Sequence, residues 1–399
     1  MATFLSALSR ARRRARWAVV ASLALASAGA SAQFTLINPP APEDFEQISA
    51  GAFHTCARKV GGKTYCWGLN HQGQVGIPSS TLCGRVACIP RPAFVMNARQ
   101  VDAGGSHSCA IGTDGRGFCW GNNSNGQIGD GSGVGPQPVP KAIAGNLSFK
   151  EISAGVFGTC ATTTTGMFCW GNITNTAAPA RLSANTDFRS PAVGEQHACM
   201  IHELWNINLH EAYCFGNNQL QQTGVSPALW SGPVPFAFTT SLGRDTFTVS
   251  ASNSFTCGDK GNGQVHCMGD NGWGQLGAGD FVTTFQARPV GGGTLALRGV
   301  SAGWIHACAL DAGNRAHCWG NGNNGQLGQG RNVTTVSPNP LPVVGGRTYR
   351  AIAAGSRHTC AIGTDNRIYC WGDNTHGQLG LGAGGGWYGD PVQALAPPN

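Results

Sequence analysis

Ser301-Ala302-Gly303-Trp304-Ile305-His306-Ala307-Cys308, then His317-Cys318-Trp319-Gly320-Asn321 and Gly325-Gln326-Leu327-Gly328, is one of seven versions of a single pattern in this chain. The first version runs Ser49-Ala50-Gly51-Ala52-Phe53-His54-Thr55-Cys56, Tyr65-Cys66-Trp67-Gly68-Leu69-Asn70, Gly73-Gln74-Val75-Gly76, and the seventh ends Cys370-Trp371-Gly372-Asp373-Asn374, Gly377-Gln378-Leu379-Gly380. From first cysteine to first cysteine the intervals are 53, 51, 39, 58, 51 and 52 residues, the period of a propeller blade or solenoid unit. The copies centre on residues 56–76, 109–129, 160–175, 199–224, 257–277, 308–328 and 360–380.

Sixty Gly, 21 Pro and a charged fraction of 11% describe a turn-dense chain poor in the residues that build long surface helices. Short β-type runs such as Phe45-Glu46-Gln47-Ile48 and Arg367-Ile368-Tyr369-Cys370 recur between turn residues. The expected fold is all-β, one supersecondary unit stacked seven times, with residues 33–399 forming one domain because a repeat array grows by adding units that touch only their neighbours.

Residues 1–32 read as a signal peptide. Arg10, Arg12, Arg13, Arg14 and Arg16 precede an apolar stretch and Ala30-Ser31-Ala32, which places cleavage near Ala32-Gln33. The apolar run is too short to span a bilayer. Removing these five arginines leaves 21 basic and 19 acidic residues, with no basic run longer than Arg58-Lys59. Nucleic acid, which needs a clustered basic surface, is thereby disfavoured as a partner. The mature chain is expected outside the cytoplasm, whether secreted, periplasmic or at the cell surface, with no membrane span.

Fourteen of the 16 cysteines fall at equivalent places in the copies: Cys56 with Cys66, Cys109 with Cys119, Cys160 with Cys169, Cys199 with Cys214, Cys257 with Cys267, Cys308 with Cys318 and Cys360 with Cys370. Cys83 and Cys88 flank a short loop. In most copies the two cysteines bracket a hairpin signal such as Thr113-Asp114-Gly115, and antiparallel neighbours lie within the span that a disulfide accepts. One disulfide per blade is expected. Zinc is the alternative, but Gly158 and Phe255 replace the histidine in the third and fifth copies and there is no Cys-x-x-Cys. No metal and no cofactor is expected.

The pattern Ala-Gly-x-x-His-Thr-Cys-Ala, Cys-Trp-Gly-x-Asn-x-x-Gly-Gln-Leu-Gly resembles the repeat of the regulator-of-chromosome-condensation family, seven-bladed β-propellers, in an exported bacterial form with cysteines in the hairpin strands. The resemblance covers residues 34–395. Trp67, Trp120, Trp170, Trp319 and Trp371 follow the second cysteine in five copies, while Phe215 and Met268 fill that place in the fourth and fifth. These read as packing positions, and the Asn and Gly-Gln-Leu-Gly residues as turn chemistry. The strand at Pro391-Val392-Gln393-Ala394-Leu395 is expected to complete the first blade and so close the ring.

Family membership does not fix function. The resemblance implies a recognition or scaffold propeller that binds a protein partner through one face. An enzyme-inhibitor-like propeller, a propeller hydrolase or lyase acting on polysaccharide, and guanine-nucleotide exchange by membership alone are the alternatives. No nucleophile elbow, phosphate loop or catalytic carboxylate pair is visible, so a non-catalytic role is favoured. Binding is sought among non-repeated residues on repeated loops. The two positions after the blade glycine supply Phe53, Phe157, Glu195, Gln196, Trp304, Ile305 and Arg357, among them residue types that anchor interfaces. Trp205, Trp230, Trp273, Trp387 and Tyr388 on longer loops are further candidates. In the long hairpin of the fourth copy, a disulfide-set register would face His202 with Glu211 and Glu203 with His210, which reads as charge pairing across strands.

Overall fold

The seventh copy shows how one unit folds. Its strands Tyr349–Ala354, His358–Gly363, Ile368–Asp373 and Trp387–Gln393 form an antiparallel sheet in chain order. The register is Ala353 with Cys360, Cys360 with Cys370, and Cys370 with Val392. A computed structural model describes residues 44–204, 209–229 and 233–398. Within them, all seven copies repeat this four-stranded plan. The 18-residue strand Val86–Ala103 serves two blades, ending the first against Lys63–Leu69 and opening the second against His107–Gly112. Residues 1–32, read above as a signal peptide, and Trp205 and Trp230 lie outside the described residues.

Every blade carries the disulfide expected of it, with Cα atoms 4.0 Å apart for Cys109–Cys119 and 4.1 Å for the other six pairs. Cys83 and Cys88 form an eighth at 5.7 Å. The close spacing belongs to cysteines directly opposed in a non-hydrogen-bonded pair.

Closure departs from the expectation. The strand Trp387–Gln393 pairs with Ile368–Asp373 of its own copy, so it completes the seventh blade and not the first. The strands Gln137–Ala142, Val234–Arg244, Thr284–Pro289 and Val336–Pro342, each of which carries or adjoins a Pro-Val pair, are likewise the fourth strands of the copies they follow, and blade 1 already has its fourth strand in Val86–Ala103. Blades 7 and 1 are joined by packing: Phe45, Ile48, Tyr65 and Trp67 bury against Ile362, Ile368 and Leu379.

A relay of hydrogen bonds crosses the same seam. The Thr55 hydroxyl and the Trp67 indole N–H both donate to the Gln378 carbonyl, at 2.9 Å each. Having given its only proton, the Thr55 hydroxyl accepts from His358 Nε2 at 2.9 Å, so the imidazole is the neutral Nε2–H tautomer. The same arrangement joins His54 to Ser108, His107 to Thr159, His197 to Thr256 and His306 to Thr359. In each of these, the hydroxyl donates to the glutamine carbonyl of the preceding blade's Gly-Gln loop or its equivalent. Burial drives all five imidazoles from 6.5 down to about 3. Gly380 shows why the loop ends in glycine: its φ is +77°, and a Cβ would lie 3.0 Å from the Trp67 indole nitrogen.

Where the histidine is missing, its acceptor is missing too. Gly158 at the histidine position goes with Ala198 at the hydroxyl position of the next blade, and Phe255 goes with Ala307. The copies vary as pairs across seams because a buried hydroxyl or imidazole left alone costs about 1–3 kcal/mol.

Candidate functional site

The first strand of each blade lines a central cavity of about 310 Å³. Such strands would expose an open edge, and side chains from the preceding blade cover it. The Gln47 carboxamide donates to Val101 O and accepts from Val101 N, and Gln100 does the same for Ile152. Ser250 and Ser301 accept the amides of Ala302 and Ala354. Asp102 is the one ionisable side chain among the residues lining this cavity. Burial raises its pKa, opposed by bonds from the Ser49 hydroxyl at 2.7 Å and the Ala154 amide at 2.8 Å. A single carboxylate with both oxygens engaged does not form the acid pair of a glycosidase.

At one end of the cavity the chain turns through Gly-x-x-His. Gly51 approaches so closely that a Cβ would sit 2.4 Å from the Gly104 carbonyl of the next blade. This fixes the two following residues on the rim. The first of the two is buried in Ala52, Gly105, Val156 and Ser356 and partly open in Glu195 and Trp304. The second is partly open in Phe53, Phe157 and Ile305 and exposed in Gln196 and Arg357.

Phe53 of blade 1 meets Trp304 of blade 6 edge to face, ring centres 6.4 Å apart, reaching over the buried Ser356 of blade 7. His376 completes the cluster 5.7 Å from Phe53. Burial lowers the pKa of His376, with Asp373 opposing, and lowers that of His71, whose second influence is the His376 charge. Arg357 stands exposed on the blade between Phe53 and Trp304. Phe157, Glu195 and Gln196 occupy the same rim in blades 3 and 4, where Gln196 accepts from the Asn217 carboxamide at 2.9 Å.

His71 and His376 are absent from the sequence-derived candidates. Their signal was present: in Asn-x-x-Gly-Gln the two middle residues vary, and in different copies they are His71-Gln72, Gly272-Trp273 and Thr375-His376. Of the aromatic loop candidates, Trp273 and Tyr388 are exposed, at 42% and 38%. Trp387 packs on blade 6, its ring 2.6 Å from where a Gly325 Cβ would stand.

The long hairpin of blade 4 has the expected register, with His202 opposite Glu211 and Glu203 opposite His210. Only the second pair bonds, His210 Nε2 to Glu203 Oε1 at 2.9 Å, with Arg189 Nε 3.1 Å from the other oxygen. His202 turns instead to Asn185 and lies against the Phe188 ring. Among the described residues no group of three or more His, Cys, Asp or Glu is placed to hold a metal ion. No described helix is long and apolar enough to cross a membrane.

Family models of the regulator of chromosome condensation (RCC1) repeat match residues 45–74, 98–127, 298–326 and 349–378, and again 61–111, 114–162 and 314–362. The ultraviolet-B receptor UVR8 of Arabidopsis thaliana is 26% identical over 84% of this chain and 66% of its own length. The human regulator of chromosome condensation is 25% identical over 86% of this chain and 75% of its own. The human E3 ubiquitin-protein ligase HERC2 is 25% identical, but the match spans 7% of that protein. Among solved structures, Prp20p from Saccharomyces cerevisiae superposes with a TM-score of 0.68 at 17% identity, covering 84% of this chain and 86% of that one. Human WBSCR16 gives 0.69 at 17%, covering 83% and 94%. With seven disulfide-clipped blades and the Trp-Gly and Gly-Gln elements in place, the chain belongs to the regulator of chromosome condensation repeat family.

Proposed function

We propose that this protein is an exported, non-catalytic recognition propeller that binds a protein partner through the Gly-x-x-His rim. The observation that carries the reading is a division of labour. Recurring residues are consumed in the seams, whereas Trp304, His376 and Arg357, which no other copy repeats, gather at the cavity mouth with Phe53, whose place only Phe157 shares. Aromatic and Arg side chains around a depression are the composition of an interface anchor. The solved structure of Prp20p is described with binding to Gsp1p and histones, which supports a protein-interaction role for the fold. Eight disulfides suit an oxidising compartment, and the Arg-rich apolar leader supplies the route there.

The experiment compares capture by the mature protein with capture by Phe53→Ala, Trp304→Ala and Arg357→Glu variants, using extracellular and periplasmic protein as the source. The same bound species should fall at least tenfold in each rim variant and persist in a Lys63→Ala variant at the other end of the ring. Equal capture by all four would remove the rim from consideration.

A further inference from the structure

The seam between blades 3 and 4 lacks every element of the relay. Gly158 and Ala198 replace the histidine and hydroxyl, Phe215 replaces the indole, and blade 3 turns through Asn172-Ile173-Thr174-Asn175 with no Gly-Gln loop. A pocket of about 400 Å³ opens at this seam, at the hairpin end of the ring, opposite the aromatic rim. Lys150, Glu151 and Thr162 of blade 3 and Asp187, Arg189 and Glu203 of blade 4 line it.

Two of these break the repeat's own logic. Glu151 stands where blades 1 and 2 have Gln47 and Gln100, whose carboxamides pair with the next backbone. Here the next blade offers Pro191, which has no N–H to give, and Glu151 accepts from the Ser190 amide at 2.6 Å instead. Its other oxygen accepts no hydrogen bond among the described residues. Thr162 stands where four other blades have Ile111, Ile201, Leu310 and Ile362. It is 2% exposed, and its hydroxyl finds no hydrogen-bond partner among the described residues. A buried orphan hydroxyl of this kind asks for a ligand.

We propose that this pocket binds an organic cation, a primary ammonium or guanidinium group on a short alkyl chain. Its charges decide the sign. Arg189 is committed to Glu203, whose second oxygen holds His210. The Lys150 ammonium, exposed at the margin, reaches the Thr186 carbonyl at 3.5 Å. Neither Glu151 nor Asp187 makes an ion pair among the described residues, so the lining, with three carboxylates against Lys150 and Arg189, keeps one negative charge in excess in the pocket that Thr162 also lines. A cationic head donating two or three hydrogen bonds satisfies Glu151, Asp187 and the Thr162 hydroxyl. The source is either a free alkylamine or the Lys or Arg side chain of a protein.

Calorimetric titration of the mature protein with agmatine tests the first source, and with acetyl-Gly-Arg-Gly-amide the second; hexanoate is the control anion. At least one cation should bind with a Kd below 5 mM. The Glu151→Gln, Asp187→Asn double variant should weaken it tenfold or more, and Thr162→Val several-fold. The Ser190 amide resonance should shift as agmatine or the peptide saturates the wild-type protein, a readout that needs no variant. Absence of binding by both cations at 5 mM, equal binding of hexanoate, or a Ser190 resonance unmoved at saturation would overturn the assignment. The rim reading stands apart from these outcomes, since no rim residue lines the pocket.

Discussion

The seam between blades 7 and 1 and the seam between blades 3 and 4 perform the same structural task with different chemistry. The first uses an indole, a hydroxyl and an imidazole converging through one glutamine carbonyl. The second has apolar packing at that place, with Phe215 clustered with Ile173 and Met200. The relay therefore locks most of the ring but is not what makes a ring. It adds direction to seams that hydrophobic packing already closes, and a seam without it is free to carry something else. Polar specificity and apolar adhesion are separable here, and each can be perturbed alone.

Acid gives the largest separation. Each relay histidine is held neutral, with its pKa lowered from 6.5 to about 3, while in the unfolded chain it protonates near 6.5. A depressed native pKa means stability that is complete above pH 6.5 and is lost as pH falls from 6.5 toward 3. The loss is about 1.4 kcal/mol per pH unit for each histidine. Five together can consume a typical domain stability of roughly 5–15 kcal/mol within about two units. Urea midpoints should fall steeply between pH 6.5 and 5. Replacing His358 with Phe and Thr55 with Ala, a copy of the natural Phe255–Ala307 pair, should make that slope shallower by one proton. A midpoint flat across this range would show that the imidazoles do not stay neutral.

Removing an indole comes next. Trp67→Ala empties a fully buried site at the closing seam and should cost roughly 3–5 kcal/mol in urea unfolding. Trp67→Phe keeps most of the volume, as Phe215 does naturally, and should cost only about 1 kcal/mol for the lost bond to Gln378. Equal losses in the two variants would mean that the hydrogen bond, and not the packing, closes the ring.

Much of this was legible in the chain because the repeat writes each constraint several times. A cysteine pair in every copy, ten residues apart in five of them, fixed the hairpin register, and the wider Cys199–Cys214 pair set the opposition of Glu203 and His210. The closing strand was misread because a Pro-Val segment between two copies can belong to either, and only the pairing of Cys370 with Val392 decides. The relay escaped because its partners lie 52 to 59 residues apart in neighbouring copies, and 303 apart at the closing seam. Yet the paired losses Gly158–Ala198 and Phe255–Ala307 were open to inspection once seams, and not copies, were compared. At the rim, the sequence marked Phe53, Trp304 and Arg357 as variable but could not say that Phe53 and Trp304 touch across an intervening blade.

The finest distinction lies between the two seams that lack a histidine. At the seam of blades 5 and 6 the acceptor survives, since the Gln275 carbonyl still takes the Trp319 indole N–H at 2.9 Å. Ala307→Ser would place a hydroxyl where its counterparts Thr55 and Thr359 reach such a carbonyl. The new bond should raise stability by about 0.5–1 kcal/mol. At the seam of blades 3 and 4 there is no Gly-Gln loop to offer a carbonyl, so Ala198→Ser buries a hydroxyl with nothing to bond. That substitution should cost about 1–3 kcal/mol. The two changes are chemically identical and both sites are fully buried, so opposite shifts in thermal midpoint would isolate the acceptor as the deciding group. Shifts of the same sign would show that local packing, and not the completed relay, sets what each seam tolerates.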